Sequence, residues 1–359
     1  LAHDRGMGRI YSGLARLEGV VPRIAVILGP TGASRSFPAA LCDATVMLES
    51  AALCLGRPDA VKRMVGQPST FAKLGGPLVQ ADVSGTVHTV VKSEHGALAW
   101  AREWLSHLPT LAGETPPAYP SRHPRGNIAA VGDIFERDLN AAVDMHDLID
   151  ALVDGGSWLE MGERHAAECL TGLARIDGCS AGIVANNAVV RGGILYPETC
   201  RKMTRFIRFC GRFSLPLIFL ADTPGFMVGE DVERGGIVQA ASDLYTAIAL
   251  SPSARACIVV RKAYSAGLYA MAGPGFDSTF WVTPKASVSI FGPEALRRFR
   301  TGQMETGAYC GEDAMDEMLQ AAMEPSILAN KKMVDGILQW TELRERLAGF
   351  VRHATFAKH

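Results

Sequence analysis

The sequence predicts an α/β layered fold built from two copies of one domain. Two observations carry this expectation. Strand-length apolar runs alternate with helix-length amphipathic stretches through the C-terminal half. The chain also repeats itself. Arg23-Ile-Ala-Val-Ile-Leu-Gly-Pro30 leads into the small residues Thr31 to Ser36, and Arg255-Ala-Cys-Ile-Val-Val-Arg-Lys262 leads into Ala263 to Gly267, 232 positions later. Pro58-Asp-Ala-Val-Lys-Arg63 is matched by Pro293-Glu-Ala-Leu-Arg-Arg298, 235 positions later. A near-constant offset over two independent matches marks a duplicated domain. The competing account is two similar strand-to-helix joints in an ordinary α/β protein. Under duplication the first copy lacks its front part, and the offset places roughly 90 expected residues ahead of Leu1.

The elements follow in order. Glu94 to Leu108 has the apolar spacing of an amphipathic helix, and so has Asp144 to Leu152. Pro109, Pro116, Pro117, Pro120 and Pro124 lie between them, a density that neither a helix nor a central strand tolerates. The expected organisation is a partial domain over 1–108, a Pro-rich linker over 109–140 and a second domain over 141–352. Within the second, Ala181 to Asn186 is a strand, Pro197 to Phe213 a helix, and Leu215 to Ala221 an apolar strand that ends in the turn Asp222-Thr-Pro-Gly225. Gly236 to Leu250 is a helix with the stripe Ile237, Ala240, Ala241, Leu244, Ile248. Ala256 to Val260 is a strand and Ser265 to Ala272 a small-residue helix. Val288 to Phe291 is a short strand, and Pro293 to Phe299 a helix opened by proline.

Composition excludes several classes. Lys plus Arg total 36 and Asp plus Glu 37, so the basic excess of a nucleic-acid binder is missing. Hydrophobic residues at 48% exclude a disordered chain. No apolar run approaches the roughly 18–20 residues of a membrane span. Leu1 to Met7 has no signal-peptide core. The eight cysteines form no CxxC pair and sit in apolar segments, so buried free thiols and a reducing compartment are expected.

Gly29-Pro-Thr-Gly-Ala-Ser-Arg-Ser36 resembles a phosphate-binding loop, and Asp222-Thr-Pro-Gly225 a GTPase turn. The match fails where chemistry is strict. Ser34 replaces the second glycine and Arg35 the lysine, and Asn330-Lys-Lys-Met333 lacks the base-reading aspartate. The same joints suit a different chemistry. A strand ending in small residues that open a helix presents free N–H groups, which stabilise an enolate oxygen. Ser265-Ala266-Gly267 fits, although small residues also permit close helix–sheet packing. His88, His146 and His165 stand alone, and no nucleophile elbow or paired-carboxylate pattern occurs. Such an enzyme relies on positioning and oxyanion holes, with the base supplied by substrate or cofactor.

From Gly6 to Ala348 the chain resembles the carboxyltransferase (beta) subunit of biotin-dependent acyl-CoA carboxylases of the propionyl-, methylcrotonyl- and geranyl-CoA type. The strings are Gly8-Arg9-Ile10, Pro22 to Pro30, Leu74-Gly-Gly76, Ser84-Gly85 with His88, and Gly182-Ile-Val-Ala-Asn-Asn187. Ala221 to Phe226, Gly235-Gly236, Arg261-Lys-Ala-Tyr264 with Ala266-Gly267, Ser289 to Ala295, and Val334-Asp335 complete them. The resemblance implies two crotonase-like (ClpP/crotonase) ββα-superhelix domains, the first lacking its N-terminal part. It implies that carboxybiotin, on a separate carrier domain, releases CO2, that the biotin nitrogen removes the α-proton of acyl-CoA, and that the acyl enolate attacks CO2. Two oxyanion holes, one per domain, hold the thioester and ureido oxygens. No Met-Lys biotinylation pair occurs in this chain.

By the same resemblance the catalytic positions are Ala33, Ser34, Arg35, Ala266 and Gly267. Gly32, Phe226, Gly235, Gly236, Tyr264, Ser265, Leu268, Tyr269, Phe291 and Gly292 line the substrate, and no metal is used. The implied partners are a biotin carboxylase/biotin carboxyl carrier subunit and further copies of the chain, as a trimer of dimers with each site shared between subunits. Neither nucleic acid nor membrane is involved, and the location is cytoplasmic, or mitochondrial matrix in a eukaryote. Departures bear on activity. The family's Ala-Gly-Gly-Ala stands where this chain has Ala33-Ser34-Arg35-Ser36, Gln80 replaces a common His, and Tyr269 replaces the Asp common in propionyl and acetyl enzymes. Two alternatives follow: a non-catalytic structural paralogue, and the carboxyltransferase subunit of a biotin-dependent acyl-CoA decarboxylase.

Overall fold

A run such as Leu217-Ile-Phe-Leu-Ala-Asp-Thr223 is apolar on both sides, so as a strand it must be covered on both faces. A computed structural model of the chain describes residues 6–138, 141–289 and 324–356, and places this run at the centre of the larger of three sheets. The strands are β1 (Ile24–Ile27), β2 (Pro30–Gly32), β3 (Ala44–Leu48), β4 (Ala52–Cys54), β5 (Thr89–Val91), β6 (Leu159–Glu160) and β7 (Cys169–Ile176). They continue with β8 (Cys179–Asn186), β9 (Leu217–Thr223), β10 (Arg255–Tyr264), β11 (Thr279–Val282), β12 (Ser287–Ser289) and β13 (Gly336–Ile337). The large mixed sheet runs β13-β11-β10-β9-β8-β7-β6, with β12 also on β10, while β1-β3-β5 and β2-β4 form two small parallel sheets.

Side chains alternate across β9. Leu217, Phe219 and Ala221 pack with Met203, Phe206 and Phe209 of the Pro197–Arg212 helix and with Leu244 and Ile248 of the Ile237–Leu250 helix. Ile218 and Leu220 face the other way, onto Leu148, Leu347 and Val351 of the Met145–Leu152 and Leu343–Phe356 helices. A third, smaller core lies beneath β1, β3 and β5 around Ile27, Met47 and Val87.

The duplication appears in the ladder register. Ile24 pairs with Ala44 and Pro30 with Ala52 in the first half. Ala256 pairs with Thr279 and Lys262 with Ser287 in the second. The first member of each pair is displaced by 232 positions and the second by 235, the offsets read from the sequence. β10 is flanked by β9 and β11, whereas β1 has a strand on one side only among the described residues.

Expected and observed elements differ where periodicity was masked. The Pro-rich stretch 109–124 contains only turns and irregular backbone, but Ile128–Arg137, inside the expected 109–140 linker, is a helix that buries Val131 and Phe135. Trp104, at the end of the Glu94–Ser106 helix, stacks on Phe209 at 5.6 Å and so joins the core of the second half. β7 went unread because Thr171, Gly172 and Arg175 interrupt its apolar pattern, yet all of it is buried. The helix expected over Pro293 to Phe299 lies outside the described residues, as do the last residues of the strand expected over Val288 to Phe291. Among the described residues seven cysteines are free thiols, six of them buried and Cys42 half-buried. Burial pushes Cys169 and Cys200 up to about 12, which leaves them inert near neutrality.

Two polar clusters tie the layers together. Arg261 donates to one oxygen of Asp222 through Nε at 3.0 Å and Nη2 at 2.5 Å, with both side chains fully buried. Its Nη1 donates to Ala141 O at 2.5 Å, and its guanidinium sits 5.5 Å from the ring centre of Phe135. The second cluster opens the Met145–Leu152 helix. The imidazole of His146 lies between Asp144 Oδ1 and Glu160 Oε2, each at 2.7 Å. Glu160, then Asp144, raises its pKa from 6.5 to about 9 against the opposing effect of burial.

Removing one partner of a buried ion pair strands the other, so Asp222→Ala is expected to cost about 3–5 kcal/mol, measured as the shift in a denaturant unfolding curve. A loss below ~1 kcal/mol would show that the pair does not hold β9 to β10. His146 binds its proton more tightly folded than unfolded. Its contribution is therefore complete below pH 6.5 and fades as the pH rises toward about 9. The melting-temperature gap between the parent and His146→Gln should be widest near the acid end of that window and close at its alkaline end. A gap independent of pH would contradict the bridge.

Candidate active site

The small-residue joints behave alike in both halves. β2 ends at Gly32 and β10 at Tyr264, and the next residue in each is left-handed: Ala33 at φ 58° and Ser265 at φ 53°. A side chain in that region costs about 1–2 kcal/mol, and both copies carry it. Ala33 N–H donates to Leu55 O at 2.9 Å, and Ser265 N–H to Ser289 O at 2.8 Å. Three residues on, Ser36 N–H returns to Ala33 O at 3.0 Å and Leu268 N–H to Ser265 O at 3.3 Å. Between these closures lie two N–H groups per turn. Those of Ser34 and Arg35, and of Ala266 and Gly267, have no acceptor among the described residues. Two adjacent uncommitted donors on a fixed turn can receive one oxyanion.

In the second half the turn is held on several sides. A Cβ on Gly267 would lie 2.7 Å from the Cα of Gly225, so only glycine lets the turn rest on the Asp222-Thr-Pro-Gly225 bend. That bend is closed by Gly225 N–H to Thr223 Oγ1 at 3.1 Å, and Thr223 in turn donates to Gly193 O at 2.7 Å. Tyr245, on the Ile237–Leu250 helix, donates its hydroxyl to Ala266 O at 3.1 Å. Its ring stacks with Phe276 at 6.1 Å and meets the edge of Phe226 at 6.4 Å. Tyr264 and Leu268 are buried, while Ser265 and Tyr269 are exposed.

In the first half Tyr11, on the Met7–Arg16 helix, donates its hydroxyl to Ser34 O at 2.7 Å. Ala33, Ser34 and Arg35 are all exposed. Arg35 is exposed and makes no ion pair or side-chain hydrogen bond among the described residues. The aliphatic stem of Arg57 packs against the turn, since a Cβ on Gly32 would lie 2.8 Å from its Cγ, while its guanidinium lies 5.7 Å from the ring centre of Phe71 and 3.8 Å from Asp59. Gln80 Nε2 donates to Leu53 O at 2.7 Å and anchors β4.

The structure brings Tyr264 to Tyr269 together with Phe226, and Gly32 to Arg35 together at the other turn. Gly235 and Gly236 are set instead by Arg201, which donates to Gly235 O at 2.7 Å, at the start of the Ile237–Leu250 helix. Phe291 and Gly292 lie outside the described residues. None of the three isolated histidines bonds to either turn. His88 Nδ1 accepts Thr45 N–H at 3.0 Å, and burial, then Arg205 and Lys202, pulls its pKa down to about 3. Motif reading missed Tyr11, Tyr245 and Arg57. The tyrosines lie 234 positions apart, close to the repeat offset, which is the signal that finds them. No cluster of metal-ligating side chains occurs, and no helix is long and apolar enough to cross a membrane, among the described residues.

The chain matches a known family. The carboxyl transferase domain family matches residues 1–356. The carboxylase YngE of Bacillus subtilis is 33% identical over 353 residues, which cover 96% of this chain and 69% of that protein. The methylmalonyl-CoA carboxyltransferase 12S subunit of Propionibacterium freudenreichii is 31% identical over 96% of this chain and 66% of its own length. A solved transcarboxylase 12S hexamer with hydrolysed methylmalonyl-CoA bound has a TM-score of 0.88 at 28% identity, covering 97% of this chain and 67% of that one. The chain thus spans about two thirds of the length of these relatives. Sequence and fold together place the chain in the carboxyl transferase domain family, the enzymes that move a carboxyl group to or from an acyl-CoA.

Proposed function

We propose that the chain is the carboxyltransferase component of a biotin-dependent acyl-CoA carboxylase. The observation that carries this reading is the matched pair of open donor turns, Ser34/Arg35 and Ala266/Gly267, at the same place in both repeats. Moving a carboxyl group between an acyl-CoA and a ureido nitrogen builds negative charge on two oxygens, the thioester oxygen and the ureido oxygen. One turn serves each. Carboxybiotin, when present on its separate carrier, supplies the carboxyl group. This chain's residues orient the two oxygens and stabilise charge that develops on them. Among the described residues His88, His146 and His165 are engaged away from both turns. The reverse transfer uses the same donors.

Arg35, exposed and without a protein partner among the described residues, is read as a contact for CoA phosphate rather than a plug of the hole. We place the site between the first domain (1–108) of one subunit and the second (141–352) of another, joined by the 109–140 linker, in a trimer of dimers served by a biotin carboxylase/biotin carboxyl carrier subunit. The hexameric transcarboxylase 12S with methylmalonyl-CoA bound supports that assembly. A cytoplasmic or mitochondrial-matrix location accords with the free thiols.

Carboxylated acyl-CoAs of graded chain length, incubated with the protein and free biotin, should yield the decarboxylated acyl-CoA in a biotin-dependent manner, read by chromatography. Turnover that ignores biotin at every chain length would reject the assignment. Arg35→Gly is expected to raise the acyl-CoA KM several-fold, about 3–10, with kcat within about twofold. A large gain in kcat in a Ser34→Gly/Arg35→Gly variant would instead identify Arg35 as a plug and the parent as a non-catalytic paralogue.

A further inference from the structure

We propose that Tyr11 and Tyr245 are positioning residues, each holding one of the two peptide groups in its turn whose N–H groups serve the reacting oxygen. The proposal rests on the donor-turn reading above and deepens it. Tyr11 Oη lies 2.7 Å from Ser34 O, and Tyr245 Oη 3.1 Å from Ala266 O. Ser34 and Ala266 are equivalent in the repeat, 232 positions apart. The two tyrosines come from corresponding helices, Met7–Arg16 and Ile237–Leu250. The accepting carbonyl of Ser34 shares its peptide plane with the N–H of Arg35. That of Ala266 shares its plane with the N–H of Gly267. Each hydroxyl therefore grips one end of an amide whose other end is uncommitted.

This grip has two physical effects. Rotation of that peptide about its flanking Cα atoms would swing the donor away from the oxyanion. At the first turn no backbone N–H among the described residues bonds Ser34 O, so Tyr11 alone fixes the direction of the Arg35 N–H. At the second, Ala270 N–H also donates to Ala266 O at 3.1 Å, and Tyr245 adds a second donor to the same carbonyl. A donor on the carbonyl also polarises the amide and strengthens its N–H, an effect of about 10–30% per bond in a chain. The hydroxyl of Tyr245 stays protonated near neutrality, because burial raises its pKa to about 12. The rings have packing of their own. Tyr11 meets Phe37 edge-on at 5.8 Å, and Tyr245 is bracketed by Phe226 and Phe276. Tyrosine to phenylalanine therefore removes the grip and leaves the packing.

The test uses Tyr11→Phe, Tyr245→Phe and the double variant, with free biotin and a carboxylated acyl-CoA. Each single change is expected to lower kcat about tenfold, less than deletion of a whole oxyanion donor, with the acyl-CoA KM within about twofold. Because the turns serve different oxygens, the double variant should lose close to the product of the two factors. Fluorotyrosine at either position, a more acidic donor of nearly the same shape, should restore kcat to the parent value or above. Amide hydrogen exchange over 33–37 and 265–269 should quicken in the matching phenylalanine variant and nowhere else. Unchanged exchange overturns the grip. Faster exchange with unchanged kcat, or a kcat loss that fluorotyrosine fails to restore, overturns the positioning role. Exchange needs no turnover, so a failed grip is distinguished from a failed carboxyltransferase.

Discussion

Two different partners must be served along one line of chain, and the rest of the structure depends on that constraint. β10 pairs first with β11 over Ala256 to Val259 and then with β12 over Lys262 to Tyr264. In the first half the same course is split into β1 against β3 and β2 against β4. Serving a second partner requires the strand to bend, and the pairing with β9 slips between Val259 and Ala263. A bent strand that then enters a left-handed residue cannot spend its next N–H groups on the sheet. The open donors of Ser34, Arg35, Ala266 and Gly267 follow from that pairing pattern and not from any particular side chain. This explains how Ser34 and Arg35 can stand at the first turn without abolishing its donors, since the backbone provides the chemistry.

Holding such a turn is the harder task. In the second half it rests on a glycine contact, Gly267 against Gly225, and the bend carrying Gly225 follows a strand end fixed by Asp222 and Arg261. That pair is fully buried, and the guanidinium's remaining donors reach the backbone ahead of the Met145–Leu152 helix. The site is thereby coupled to the opposite layer of the sheet. In the first half the support is lighter. Tyr11 reaches Ser34 from a helix with no buried residue, and the flanking arginines are open to solvent. The two turns share a backbone geometry and differ in how firmly it is enforced.

The charged groups divide along the same line. Those that hold the fold are buried and bonded: Asp222 with Arg261, Arg23 with Asp43, and Lys202 with the carbonyls of Gly162, His165 and Cys169. Those beside the turns, Arg35 and Arg57, are exposed. Exposed guanidinium groups add little to stability, and Arg57 is already shared with Asp59 and the ring of Phe71.

The sequence by itself determined the duplication, its offsets and the two donor turns. All three are local: a run of β-branched and apolar residues, a small-residue joint, and their recurrence at a fixed distance. The 232 and 235 displacements reappear unchanged in the ladder register because pairing preserves spacing. Tertiary structure alone decided the rest. Tyr11 and Tyr245 lie 23 and 21 positions from the carbonyls they bond; their spacing near the repeat offset marks them as a pair, but only the fold brings each hydroxyl to its carbonyl. Arg57 reaches Gly32 for the same reason, through space. The Ile128–Arg137 helix was hidden by the prolines before it, and it becomes a helix where Phe135 and Val131 find a core to fill. The left-handed backbone at Ala33 and the exposure of Arg35 beside it were likewise beyond the sequence, because both are set by how the chain turns off the sheet.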